Sequence, residues 1–172
     1  MHYAQIRKYD TANGVGIRAS LFVSGCTHKC PGCFNEEYKQ FNYGIKWTAQ
    51  IEEQFIEHIK NSYVQGITII GGEPFQQDED LPALLAHIKE ETNTNIWIYS
   101  GYTYEEIIKN AHQSLILSYC DVLVDGKFIE KYKDIRLSFR GSSNQRLIDV
   151  QESIKNNYVV LYDYQNNSSI AN

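Results

Sequence analysis

Four short apolar runs, each followed by a glycine- or cysteine-bearing loop and separated by segments of helical spacing, restrict this chain to a parallel α/β arrangement. Residues 18–24 (RASLFVS), 66–70 (GITII), 95–100 (NIWIYS) and 121–124 (DVLV) read as buried strands, because runs this rich in β-branched and aromatic residues leave no polar face for water. Thr48 is placed to cap a helix carrying Ile51, Phe55, Ile59 and Tyr63 on one face. Leu81, Leu84, Leu85 and Ile88 define a second helix, with Pro82 in the first turn, where its missing N–H is not needed. Thr103-Tyr104-Glu105-Glu106 fits a capping box ahead of Ile107 and Ile108. A last strand is expected within 158–162, an edge strand within 1–9, and a flexible polar tail over 165–172 (QNNSSIAN). About four or five βα units are too few to close an eight-stranded barrel. The expected fold is therefore α/β, a partial, open (β/α) barrel, in a single domain over residues 1–164. Its loops after the strands would meet on one rim.

The loop after the first run holds Cys26, Cys30 and Cys33, a C-x3-C-x2-C spacing within eight residues. With 42% hydrophobic residues and 22% charged, the composition is that of an ordinary globular protein. No stretch approaches the roughly 20 apolar residues of a membrane helix. The first residues lack the order of a signal peptide. These features point to the reducing cytoplasm, where clustered thiols read as metal ligands rather than disulfides. A net charge of −5 without any run of Lys or Arg argues against nucleic acid as a partner. Three thiolates on a four-iron cube leave one iron open, as befits a reactive centre. A zinc knuckle completed by His28 or Cys120 is the competing reading, but structural zinc sites usually pair two ligand clusters and no second pair is present. Cys120 reads as a small buried residue ahead of the fourth strand.

The other motifs each have two readings. Gly71-Gly72-Glu73-Pro74 is a generic strand-ending turn, or a backbone surface bare enough for a ligand to approach. Asn13-Gly14-Val15-Gly16-Ile17-Arg18 is a hairpin turn, or a loop near the rim whose Arg18 serves a carboxylate or a backbone carbonyl. Asp125 and Lys127 around Gly126 are solvated charges on a turn, or rim residues. Residues 139–145 (FRGSSNQ) form a polar surface loop, or line the rim or a protein contact.

Taken together, the cysteine spacing and the glycine loop resemble the radical S-adenosylmethionine (SAM) superfamily. Residues 13–18, 21–26 (LFVSGC), 30–35 (CPGCFN), 97–102 (WIYSGY), 124–128 (VDGKF) and 140–146 (RGSSNQR) narrow the resemblance to the activating proteins of anaerobic (class III) ribonucleotide reductases. The likeness runs to about Asp149, and the stretch beyond is longer than that family leads one to expect. The resemblance implies the radical SAM type of partial barrel and a [4Fe-4S] cluster held by Cys26, Cys30 and Cys33, which act in catalysis through it. SAM would chelate the fourth iron, with Gly72 near its methionine end and Gly32 and Phe34 near its adenine. The implied cofactor-binding set is Gly32, Cys33, Phe34, Gly72, Glu73, Ser100, Asp125 and Lys127. One electron would cleave SAM to methionine and a 5′-deoxyadenosyl radical, which takes hydrogen from a glycine Cα of the reductase large subunit. A small reductant protein such as flavodoxin would supply the electron. An activase for another glycyl-radical enzyme, such as pyruvate formate-lyase, is the alternative; a non-catalytic iron–sulfur or zinc module is an alternative of a different class.

Overall fold

A computed structural model describes residues 1–164; the polar tail expected over 165–172 lies outside the described residues. The elements in chain order are β1 (His2–Asp10), β2 (Arg18–Val23), β3 (Ile45–Lys46), α1 (Ala49–Ile59), β4 (Gly66–Gly71), α2 (Asp80–Glu91) and β5 (Asn95–Tyr99). Then follow α3 (Tyr104–Ile107), α4 (Ala111–Ser118), β6 (Val122–Asp125), β7 (Arg146–Asp149), α5 (Val150–Asn156) and β8 (Val160–Leu161). All eight strands join one open sheet in the order β3-β1-β2-β4-β5-β6-β7-β8. The four strands read as buried runs, β2, β4, β5 and β6, lie side by side and parallel. Antiparallel strands extend the sheet on both sides.

Side chains alternate across a strand, so each parallel strand supplies two faces. Ala19, Leu21, Val23, Ile67, Ile69, Ile96, Ile98 and Leu123 pack beneath the helices, against Phe55, Ile59, Leu81, Leu85, Ile88 and Leu117. The helices form because their apolar residues recur every three to four positions, and Thr48 caps α1 by accepting the Ile51 N–H. Truncating one of these fully buried isoleucines to alanine would cost about 2–5 kcal/mol. The opposite face carries Trp97, Val122, Val124 and Leu147, with Val15, Tyr99 and Phe139 packed on them.

At the amino ends of the parallel strands this second face is closed by Arg18, only 2% exposed. Its guanidinium donates to Thr68 Oγ1 and to the carbonyls of Val15, Ile67 and Asn95, and lies 5.2 Å from the Trp97 ring. Burial lowers its pKa to about 10, still far above neutral, so the cation persists. Of the two roles open to Arg18, the structure shows the one with backbone carbonyls.

Several expectations are corrected. The strand expected at the edge over residues 1–9 forms as β1, but its first two residues, His2 and Tyr3, gain an outer partner in the two-residue β3. Tyr63 falls outside α1: the Asn61 side chain accepts the Tyr63 N–H, a local bond that competes with helix. Residues 11–17 connect two antiparallel strands, a hairpin longer than a two-residue turn. The last strand shrinks to Val160–Leu161, and β7 was not expected at all.

Candidate functional site

The cysteine loop follows the carboxyl end of β2 and is held by backbone bonds to β1 and to residues 38 and 39. Ser24 N donates to His2 O at 2.9 Å, Gly25 N to Tyr38 O at 2.7 Å and Cys26 N to Lys39 O at 3.0 Å. Gly25 has φ +105°, and a Cβ there would stand 2.3 Å from the Phe41 ring, so only glycine fits this corner. The loop after β4 is zipped onto it: Gly72 N reaches Val23 O at 2.7 Å and Glu73 N reaches Gly25 O at 2.8 Å. A Cβ on Gly72 would lie 2.5 Å from Gly25 O. The glycine is thus required by the chain's own packing before any ligand is considered.

Glu73, 1% exposed, ties three loops together. Its Oε1 accepts from Phe75 N at 3.0 Å and Ser100 Oγ at 2.9 Å; its Oε2 accepts from Gly101 N at 2.7 Å and lies 3.1 Å from His28 Nε2. His28, from between the cysteines, also meets the Tyr102 ring edge-on at 4.6 Å. Two residues that sequence reasoning passed over complete the clamp. Gln76 accepts from Thr27 N and donates to Tyr102 Oη at 2.7 Å, and Gln77 donates to Ser24 O and Glu73 O. The only signal in the sequence was two adjacent amides after the glycine loop, with no periodicity to assign them.

These loops surround a cavity of about 500 Å³, a size typical of small-molecule sites. It is lined by Cys26, Cys30, Cys33, Phe34, Gly72, Glu73, Ser100 and Lys127, which are thereby brought together as the sequence suggested. Phe34 is 74% exposed at the mouth, its ring 5.5 Å from that of Phe128. Phe22, Ile70 and Tyr99 of the sheet and Phe139 of the loop between β6 and β7 also line the cavity.

Two residues of the expected set are not among the cavity-lining residues. Gly32, φ +70°, faces the Glu130 carboxylate. Asp125 is fully buried, accepting from Tyr104 N at 2.8 Å and from the Arg146 guanidinium at 3.0 and 2.5 Å. The strand alternation explains this: Val124 lies on the sheet face shared with Trp97 and Tyr99, so Asp125 points away from it.

The three thiols are half-buried and face the cavity, whereas Cys120 is fully buried with Sγ 3.4 Å from Ile116 O. Burial pushes the Cys26 thiol up to about 11 and raises Cys30 as well, with repulsion from Cys33 adding to the latter and Lys127 and Lys39 opposing it. Without metal the Cys26 and Cys30 thiols are protonated at neutral pH, so their ligation must release protons. The donor set is all sulfur, because His28 is engaged with Glu73. Among the described residues no three His, Cys, Asp or Glu side chains converge on one point as ligands of a single ion. Thiolates of a cube need not converge, since each binds a different iron. The residues present therefore fit a cluster with three protein ligands. Among the described residues no helix is long and apolar enough to cross a membrane.

Residues 12–148 match the model of a 4Fe-4S single cluster domain family. The chain is 41% identical over 150 residues to the anaerobic ribonucleoside-triphosphate reductase-activating protein of Salmonella typhi, covering 84% of this chain and 96% of that one. The protein of the same name from Haemophilus influenzae is 40% identical over 150 residues, with the same coverage. That of Enterobacteria phage T4 is 38% identical over 150 residues, covering 86% of this chain and 93% of its own. With three thiols open to one cavity and this likeness along nearly the whole described chain, the protein belongs to the family of anaerobic ribonucleoside-triphosphate reductase-activating proteins, built on a 4Fe-4S single cluster domain.

Proposed function

We propose that the chain is a radical SAM activase that places a glycyl radical on the large subunit of anaerobic ribonucleotide reductase. The observation that carries this reading is the Glu73 tie. It fastens the cysteine loop, the glycine loop and the loop after β5 around one cavity, so that a cluster on the first would adjoin a ligand held by the other two. The open sheet, with its loops on one rim, supports the partial-barrel reading, and the single sheet spanning β1 to β8 supports one domain over residues 1–164.

In this reading Cys26, Cys30 and Cys33 hold the [4Fe-4S] cluster, and Cys120 has no part in it. When bound, the cluster and SAM together supply one-electron cleavage of a sulfonium and hence a radical able to abstract hydrogen. The chain's own residues bind, orient and exclude water. Gly72 offers bare backbone, and Phe34, exposed at the mouth with Lys133 5.2 Å from its ring centre, offers an aromatic contact to a purine. Ser100 is held to Glu73, and Lys127 and Lys39 set positive charge beside the thiols. Phe22, Ile70 and Phe139 give an apolar wall that keeps a reactive species from solvent. The hydrogen donor is a segment of the large subunit, the electron comes from a small reductant protein such as flavodoxin, and the setting is cytoplasmic.

The test is anaerobic reconstitution. About four irons per chain are expected, with SAM cleavage on reduction and an organic radical on the reductase large subunit by electron paramagnetic resonance. A colourless zinc-loaded protein, or a radical formed only on pyruvate formate-lyase, would overturn the assignment.

A further inference from the structure

Beside the cavity mouth, residues 127–140 (KFIEKYKDIRLSFR) carry five cations, Lys127, Lys131, Lys133, Arg136 and Arg140, against Glu130 and Asp134. This local positive excess stands in a chain of net charge −5. Asp134 is occupied by Arg136, whereas among the described residues Lys127, Lys131 and Lys133 form no ion pair. Ile135, at the tip, is 91% exposed, and Ile129 and Tyr132 are exposed near it. An isoleucine so displayed among cations has no role in this chain's own core.

The segment is a built structure. Lys133 bridges to Ser142, Ser143 N donates to Tyr132 O at 2.9 Å, and Gln145 binds both Gly141 N and Gly126 O, closing the base. Tyr99 Oη donates to Phe139 O at 2.8 Å, holding Phe139 at φ +60°, a left-handed conformation unfavourable for a bulky residue. Strain accepted in order to fix a surface segment marks that segment as preorganised, which lowers the entropy lost when something binds it. Its inner residues, Lys127, Phe128, Leu137 and Phe139, line the cavity, while Lys131 and Ile135 do not. A small molecule in the cavity would leave Ile135 untouched.

We propose that residues 127–140 are the docking edge for the protein whose segment enters the cavity, received through an acidic surface with an apolar depression for Ile135. This rests on the reading of the chain as an activase of a macromolecular substrate. An apolar centre ringed by charge is the usual anatomy of a specific contact, the centre giving affinity and the charges giving orientation and encounter rate. Nucleic acid is disfavoured because Ile135, exposed at the tip, calls for an apolar counterpart that a phosphate backbone does not offer.

The test is a Lys131→Glu/Ile135→Asp double variant, with Lys155→Glu on α5 as a charge control. Affinity for the reductase large subunit is measured anaerobically at low and high salt. SAM cleavage by the reconstituted chain alone, under chemical reductant, is measured in parallel. Expected are affinity weakened at least about tenfold, a flatter salt dependence, unchanged SAM cleavage, and wild-type behaviour of the control. Unchanged affinity in a double variant that still cleaves SAM overturns the docking edge alone. A wild-type chain that cleaves no SAM removes the activase reading beneath it. Binding of a single-stranded oligonucleotide tighter than that of the subunit, abolished by the double variant, assigns the segment to nucleic acid and overturns the proposal.

Discussion

Replacing Glu73 by alanine removes one carboxylate and leaves donors from three loops without their acceptor. Phe75 N and Ser100 Oγ are buried and lose their shared partner, while Gly101 N and His28 sit nearer the cavity, where water can replace it. A buried donor left unpaired costs about 1–3 kcal/mol, so the two buried ones cost about 2–6 kcal/mol together. That is a large part of the roughly 5–15 kcal/mol that holds a domain folded. Glu73→Gln keeps the shape and one acceptor oxygen. Its amide must then face either Phe75 N and Ser100 or Gly101 N and His28. The serine hydroxyl and the imidazole can turn to accept, but a backbone N–H cannot, so one amide is lost for about 1–3 kcal/mol. Urea unfolding of the reduced, metal-free chain reads both effects as a lowered midpoint at constant slope. The predicted order is wild type, then glutamine, then alanine. An alanine variant within about 0.5 kcal/mol of wild type, or one more stable than the glutamine variant, would refute the role of this carboxylate as the tie among the loops.

Alanine at Cys26, Cys30 or Cys33 should each abolish SAM cleavage and lower iron content, while Cys120→Ala should leave both intact; iron analysis after anaerobic reconstitution checks this. Gly72→Ala should reduce stability and iron loading together, because its new methyl meets Gly25 O of the cysteine loop at 2.5 Å; a variant that loses SAM affinity alone would restore a purely ligand-facing role. Glu105 is held down to about 2 by the Arg146 guanidinium, from its usual 4.5. The native carboxylate thus stays ionised where the unfolded chain already binds a proton. Its contribution is present above pH 4.5 and lost as pH falls toward 2, so Glu105→Gln should flatten the pH dependence of stability in that window.

What was legible in the sequence followed from local pattern. The four buried runs became the parallel strands because unbroken apolar stretches have few other homes. The cysteines, Gly72 and Ser100 met at one cavity because they all follow strands of the same direction. β7 escaped notice because Arg146–Asp149 is four residues long and antiparallel, and its polar approach gives no alternation. Asp125 was placed on the rim because the turn was visible and the facing of the last strand residue was not. His28, Gln76 and Gln77 form their bonds across separations such as the 45 residues between His28 and Glu73, and no local spacing encodes such a meeting. The sequence leaves Gly72 either a turn or room for a ligand, and its nearest constraint is the neighbouring loop of its own chain.

Cys26, Cys30 and Cys33 belong to neither apolar cluster of the structure, and the start of their loop is held by main-chain bonds to His2, Tyr38, Lys39 and Glu73. The sheet and its helical layer are complete without the thiols, unlike a zinc finger, whose folding is its metal binding. Loss of iron in air therefore need not cost the molecule its architecture. An oxidised molecule is a repairable one: once its thiols are reduced, iron and sulfide can be returned to a loop still held in place. Refilling that loop is then a metal-binding step that asks for no refolding of the sheet or its helices.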